Sequence, residues 1–225
     1  MLRSVRNNAL SILFFALFVL AIIGQSIAGF FENNERLVQH AQPTVGFLEF
    51  ITSSEFVVDV AENWQSEFLQ FFLFIAATIW LVQRGSPESK KPGDEGPGTD
   101  KDQKVGRYAE PDSPEWAKSR GLPQVIFSNS LLLVMGTIFV LSWLAQSLAG
   151  VVVFNSDSAE HGQAAISWAE YVVTSDFWSR TLQNWQSEFL AVGAMIAFSI
   201  FLRQRGSSES KPVGEPHHVT AQESQ

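Results

Sequence analysis

The chain has 225 residues, 46% of them hydrophobic and 17% charged, with a formal net charge of −8 and a mean hydropathy of +0.07. Charge falls below the quarter or so that is usual in a soluble domain, aromatics reach 12%, and there is no cysteine. These values exclude disorder throughout, a disulfide framework, a thiolate metal site and a cysteine nucleophile, and the acidic total argues against nucleic acid as a partner.

Apolar residues gather in four segments. Residues 9–31 are interrupted strongly only by Gln25 and exceed the roughly 20 residues needed to cross a bilayer. Further spans are predicted near residues 63–83, 127–150 and 184–203, the first of these reaching spanning length only if it starts near Asn63 and takes in Glu67. The first segment has the basic start of a signal peptide (Arg3, Arg6) and a small-residue site at Ser26-Ile27-Ala28. The same Gln25-Ser26-Ile27-Ala28-Gly29 pattern returns as Gln146-Ser147-Leu148-Ala149-Gly150, far from any cleavage site, so it is read as architecture. Small residues at 21, 24 and 28, and at 142, 145 and 149, share a helical face on which neighbouring helices approach closely. Asn8 and Asn129, and Ser54 and Ser175, stand where helix N-caps are expected. Phe47, Leu48, Phe50 and Ile51, matched by Trp168, Ala169, Tyr171 and Val172, predict short amphipathic helices in the outer loops.

The central connection and tail read differently. Residues 91–124 are a cytoplasmic linker, partly disordered, with a short interfacial helix opening at Ser113-Pro114-Glu115-Trp116 and ending near Gly121. Residues 212–225 are read as a disordered tail. Of the 15 Lys and Arg residues, all but Arg36 and Arg180 lie at the N-terminus, in the central connection from Arg84 to Arg120, or after the fourth span at Arg203, Arg205 and Lys211. The positive-inside rule then makes both termini cytoplasmic. The acidity sits elsewhere: residues 32–62 carry a net −5, residues 157–180 a net −3, and Glu67 and Glu188 a further −2, offset by the +2 of the N-terminus.

The two halves align without a gap at an offset of 121. Residues 8–90 match 129–211 with roughly 33 identities in about 83 pairs. Residues 1–90 and 125–211 are thus read as two repeats. Each has an even number of spans, so both enter the membrane the same way round and form a parallel repeat. The expected fold is an all-α membrane protein with four transmembrane helices in two parallel two-helix repeats.

The identical polar residues are the candidate sites. Gln25, Glu67, Gln146 and Glu188 fall at one depth, with Asn63 and Asn184 a turn further out, and predict a polar layer near the outer side of the bundle. An intramembrane carboxylate is a functional candidate by default; helix packing and a solute or proton path are both open readings of this layer. Arg36 and Arg180 lie within reach of it from the outer loops. His40 with Glu49, and His161 with Glu170, are outer-loop candidates, either for a symmetric metal site or as ordinary exposed side chains. Arg84, Lys90, Arg205 and Lys211 are candidates for the inner headgroups. Trp64 and Trp185 stand at aromatic-belt height. No phosphate loop, His-Glu-x-x-His or nucleophile elbow occurs, so no enzyme activity, metal or cofactor is expected. The expected partners are the bilayer and a second copy or another membrane protein.

The segments Asn63-Trp64-Gln65-Ser66-Glu67-Phe68-Leu69 and Gln83-Arg84-Gly85-Ser86 with Glu88-Ser89-Lys90, repeated at 184–190 and 204–211, resemble a family of bacterial membrane proteins labelled only as a domain of unknown function. The resemblance covers most of the chain outside the linker and tail. It implies a bacterial inner-membrane location and assigns no activity.

Overall fold

Long runs of Leu, Phe, Ala and Ile without an internal proline favour helix, and helix is what forms. A computed structural model describes residues 2–220; among them are nine α-helices, one short 3-10 turn and no strand. In chain order these are α1 (Leu2–Asn7), α2 (Ala9–Gln39), α3 (Phe47–Ile51), α4 (Ser54–Trp80), α5 (Glu115–Lys118), α6 (Leu122–Ser128), α7 (Ser130–Glu160), α8 (Trp168–Tyr171) and α9 (Ser175–Phe201). The end of the expected disordered tail, 221–225, lies outside the described residues.

Two helices, α2 and α7, are long and apolar enough to cross a membrane, where the sequence predicts four. The reason is the placement of charge. α4 carries Glu55, Asp59, Glu62 and Glu67, and α9 carries Asp176, Arg180 and Glu188. Each keeps only 13 uncharged residues after its last glutamate. That is about 20 Å of helix against a hydrocarbon core of about 30 Å.

α2 and α7 end in the same way. His40 caps α2; the next residue, Ala41, turns left-handed (φ 56°), and its N–H and that of Gln42 return to the Val38 and Leu37 carbonyls at 3.1 and 2.8 Å. At the end of α7, Gly162 (φ 68°) and Gln163 return to Ala159 and Ser158 at 3.0 and 2.9 Å. Both are Schellman turns, which satisfy the last carbonyls of a helix. Asn34 and Asn155 then hold the following loops. Each amide donates to a backbone carbonyl eleven residues on (Val45, 3.2 Å; Ile166, 2.9 Å) and accepts from the same residue's N–H (2.8 and 2.9 Å).

The short outer helices dock by an aromatic ring. Phe50 of α3 lies on Gly29 of α2, where an added Cβ would come within 2.9 Å of its ring. Tyr171 of α8 lies on Gly150 of α7, where a Cβ would meet the ring and hydroxyl at 2.6–3.0 Å.

Several caps differ from expectation. Asn8 precedes α2 with no side-chain capping bond. Asn129 instead donates to the Val125 carbonyl (2.8 Å), closing α6. The expected caps Ser54 and Ser175 are the first residues of α4 and α9; Ser53 and Thr174, one position earlier, accept from the Phe56 and Phe177 N–H groups (3.3 and 3.2 Å). The extended backbone of Thr174 (φ −74°, ψ 156°) aims its hydroxyl at the third N–H of the helix, as capping requires. Gly121 does not end α5: it precedes α6 with φ 73°.

The chain divides into two bodies, Met1–Val60 with Ala145–Tyr171, and Ala61–Leu144 with Val172–Gln225. In the first, Phe50 contacts Phe30 and Phe56 with ring centres 6.3 and 5.5 Å apart, and Phe154 contacts Tyr171 at 5.5 Å. In the second, Trp143 lies between Phe139 (5.7 Å) and Phe177 (6.1 Å), with Trp178 and Trp185 at its edges.

Candidate functional site

The repeated Asn-Trp-Gln-Ser-Glu-Phe-Leu segments lie in α4 and α9, within the second body. Gln65 is fully buried and Ser66 and Leu69 nearly so, while Glu67 and Asn63 are exposed. The Gln65 Oε1 accepts a bond from the Trp185 indole N–H at 2.7 Å, and its Nε2 has no partner among the described residues. Ser66 and Ser187 donate to the Asn63 and Asn184 carbonyls (3.0 and 2.8 Å), and the Asn184 amide donates to the Arg180 carbonyl (2.9 Å). Glu188 is half-buried, close enough to Glu67 for the two charges to repel. Arg180 pairs with Glu62 (3.1 Å) and Asp176 (3.6 Å). Gln25, half-buried, and Gln146, buried, belong to the first body. Trp64 is exposed and Trp185 half-buried.

The outer-loop histidines and glutamates serve different helix ends. The His40 and His161 Nδ1–H groups donate to the Arg36 and Asp157 carbonyls, each at 2.8 Å, one turn back in the preceding helix. His40 Nε2 also lies 3.9 Å from Glu160, and Gln42 donates to the same carboxylate (2.8 Å). Arg36 lies 3.8 Å from both Glu55 and Asp157. Glu49 accepts from the Gly46 N–H (3.3 Å) and Glu170 from the Ser167 N–H and hydroxyl (both 2.7 Å), closing the starts of α3 and α8. The bonds from Ser167 hold the Glu170 carboxyl below its ordinary pKa. Among the described residues no three His, Cys, Asp or Glu side chains gather as metal ligands would.

The repeated Gln-Arg-Gly-Ser-x-Glu-Ser-Lys segments fold into matching knots after α4 and α9. The Ser86 N–H donates to the Gln83 carbonyl (3.1 Å) across a turn whose third residue, Gly85, has φ 87°. The Ser89 hydroxyl accepts from the Gln83 N–H (2.7 Å) and donates to the Lys90 carbonyl (2.9 Å); the Glu88 N–H donates to Ser86 Oγ (3.2 Å). In the second knot the Gln204 N–H donates to Ser210 Oγ (2.9 Å), Ser210 Oγ to the Lys211 carbonyl (3.1 Å), and the Glu209 N–H to Ser207 Oγ (3.2 Å). Each closing lysine caps backbone. Lys90 Nζ donates to the Gly96 and Ile79 carbonyls. Lys211, 3% exposed, donates to the carbonyls of Pro216, His217 and Val219 at 3.0–3.2 Å. Burial lowers its pKa. Arg84 and Arg205 remain exposed at the two turns.

The knots also carry two acidic side chains, Glu88 and Glu209. The Glu209 carboxylate accepts from the Ser208 hydroxyl (3.1 Å). Partial burial, and secondarily the neighbouring Glu209 carboxyl, raise the Glu88 pKa. A cavity of about 560 Å³ opens beside Glu88, walled by the last turns of α4 and by Ile196. A second one, about 630 Å³, lies along α7 at Gly136 and Phe72. Neither includes Glu67 or Glu188.

No curated protein and no solved structure matches the chain. A family model matches residues 1–222, nearly the whole length. The chain therefore belongs to the family described as Domain of unknown function (DUF6766).

Proposed function

We propose that the chain is a non-enzymatic, multi-pass component of a bacterial inner membrane that binds a membrane partner or a second copy of itself. The observation that carries this reading is α2: it is apolar, long enough to span, and has no buried residue along its 31 residues. Water does not tolerate so large an unbroken apolar surface, whereas hydrocarbon suits it.

In this reading the chain crosses four times as two parallel repeats, with both termini cytoplasmic. Hydrogen bonds that recur at an offset of 121 support the repeat: those of Asn34 and Asn155, Ser89 and Ser210, and His40 and His161. α4 and α9 have 27 residues each, about 40 Å of helix; their apolar C-terminal halves enter the membrane and their acidic starts lie outside. Arg84 and Arg205 then meet the inner headgroups. Single cysteines at Ser156 and Thr99 test the orientation. An impermeant maleimide added to intact cells is expected to label position 156 and to reach position 99 only after lysis. Labelling of position 99 from outside would overturn the orientation, and release of the chain from membranes by alkaline carbonate would overturn the membrane reading.

The nearness of Glu67 and Glu188 favours a second reading, a proton or small-solute path along α4 and α9. Its test is flux in proteoliposomes: a path through this pair requires Glu67→Gln/Glu188→Gln to reduce flux severalfold. Equal flux from both proteins removes the path.

A further inference from the structure

We infer that α2 of one copy docks on α9 of a second copy, with Phe15 seated on Gly193, and that the two copies make this contact reciprocally. The template lies inside the chain. Gly136 of α7 receives the ring of Phe72 of α4, so closely that a Cβ at Gly136 would come within 2.9 Å of it. At the repeat offset of 121, Gly136 corresponds to Phe15 and Phe72 to Gly193. Ring and gap have therefore changed sides. In the first pair α4 supplies the ring and α7 the gap; in the equivalent pair α2 holds the ring and α9 the gap. Matched exchanges of this kind conserve the volume of a contact, which is what packed surfaces tolerate best.

Neither half of the second contact is filled. A Cβ on Gly193 meets nothing within 4 Å among the described residues, and Phe15 is 71% exposed. The face around Gly193 agrees. Gln65 and Leu69, which precede Phe72 on the same face of α4, are 0% and 6% exposed. Gln186 and Leu190, the identical residues before Gly193 on α9, are both exposed, Leu190 to 71%. One sequence face is thus packed in the first repeat and open in the second. Contact with lipid accounts for an open leucine but not for a glycine, among the least favourable residues inside a helix. Gly193 and Ala197, one turn apart and both exposed, form the small-xxx-small pattern on which membrane helices approach closely.

The occupant follows from what fits the gap: an apolar helix with a large ring at the depth of Gly193, running opposite to α9. α2 has that ring at the matching position and no buried residue along its length. In the four-span reading odd and even spans run in opposite directions. Two copies inserted the same way therefore set α2 of each antiparallel to α9 of the other, and a two-fold axis along the membrane normal makes the contact twice. The inference rests on the membrane reading and names the partner within it.

The test uses the absence of native cysteine. Val19→Cys and Leu190→Cys lie one turn to the outer side of Phe15 and Gly193. Full-length chains with one or the other, carrying different affinity tags, are expressed together, and copper phenanthroline is added to the native membranes. A disulfide joining the two tags is expected. Gly193→Phe on the chain with Leu190→Cys is expected to reduce that product about tenfold, the effect of overpacking one contact. Adding Phe15→Gly to the chain with Val19→Cys is expected to restore it, because the pair then reproduces Phe72 on Gly136. Position 193 faces open space and Phe15 is exposed, so both substitutions leave the packing of the single chain intact. No disulfide between the tags, a disulfide only within one chain carrying both cysteines, or a product that Gly193→Phe leaves unchanged overturns the inference. So does a loss that Phe15→Gly fails to restore, or capture of a different membrane protein at position 190 in place of the second copy. Alkaline carbonate extraction of the same membranes separates the two failures: a chain that stays in the membrane without joining a second copy sinks this inference alone.

Discussion

Tyr171→Ala is expected to destabilise the protein by about 3–5 kcal/mol, the cost of removing a large aromatic from a packed site. Tyr171 is 2% exposed, packs on Phe154 and lies over Gly150, so closely that even a methyl group there would overlap its ring. The ring is what fastens α8 to α7. Without it the cavity is bounded by a glycine, which has no side chain to move in. Gly150→Val is expected to do comparable harm by expelling the ring. Tyr171→Phe is the control. Phe50 does the same work against Gly29 in the other repeat, so this change is expected to cost no more than about 1 kcal/mol. Thermal unfolding in detergent, followed by circular dichroism, orders the three. An Ala variant as stable as the Phe variant would show that the ring does not hold α8.

Gly85→Ala and Gly206→Ala form a second comparison. The two glycines have nearly the same backbone, φ 87° and 85°, in equivalent turns. Their surroundings differ. A Cβ on Gly206 meets nothing within 4 Å, whereas one on Gly85 would overlap the His217 carbonyl oxygen and crowd Ile200. Alanine at 206 should then cost only the left-handed backbone penalty of about 1–2 kcal/mol. Alanine at 85 adds a clash with a main-chain atom that no rotamer change relieves. It should cost about 2 kcal/mol more and release the segment after Lys211. Thermal unfolding gives the first readout, and limited proteolysis after residue 211 the second. Equal losses at both positions, with equal protease resistance, would count against the contact.

The helical character and the approximate extents of α2, α4, α7 and α9 were legible in the sequence, because their apolar stretches are long. Which face points inward was harder to read. Depth along the membrane selected Glu67, but at 3.6 residues per turn Gln65 lies about 200° away, nearly on the opposite side. The structure buries Gln65 and bonds it to Trp185. Only a partner on another helix decides between the two, and single-helix periodicity has no access to it. The same limit applies to His40 and His161. A repeated histidine near a repeated glutamate suggests a ligand pair, yet each ring closes the end of its own helix. The left-handed Ala41 and Gly162 beside them were the available sign, with glycine explicit in only one copy. Asn34 and Asn155 were missed although identical at the repeat offset, since asparagine in a helical run gives no warning of a bond eleven residues away. The four-span count goes beyond what helix composition alone supports: α2 and α7 are apolar enough to span, whereas acid clusters at the starts of α4 and α9.

Each knot ends in a lysine that reaches beyond it. Lys90 bonds to the Gly96 carbonyl in the linker, and Lys211 to carbonyls as far as Val219 in the tail. The linker and the tail share no recognisable sequence, yet they hold corresponding posts. If the gene arose by duplication of a half-length ancestor, the unit copied ran past the last identical residue to include a follower strand of backbone, free to drift because only its carbonyls are used. A half-length chain meant to stand alone should accordingly extend beyond Gly96. Cut at Lys90, it would retain the cation and lose what the cation was holding.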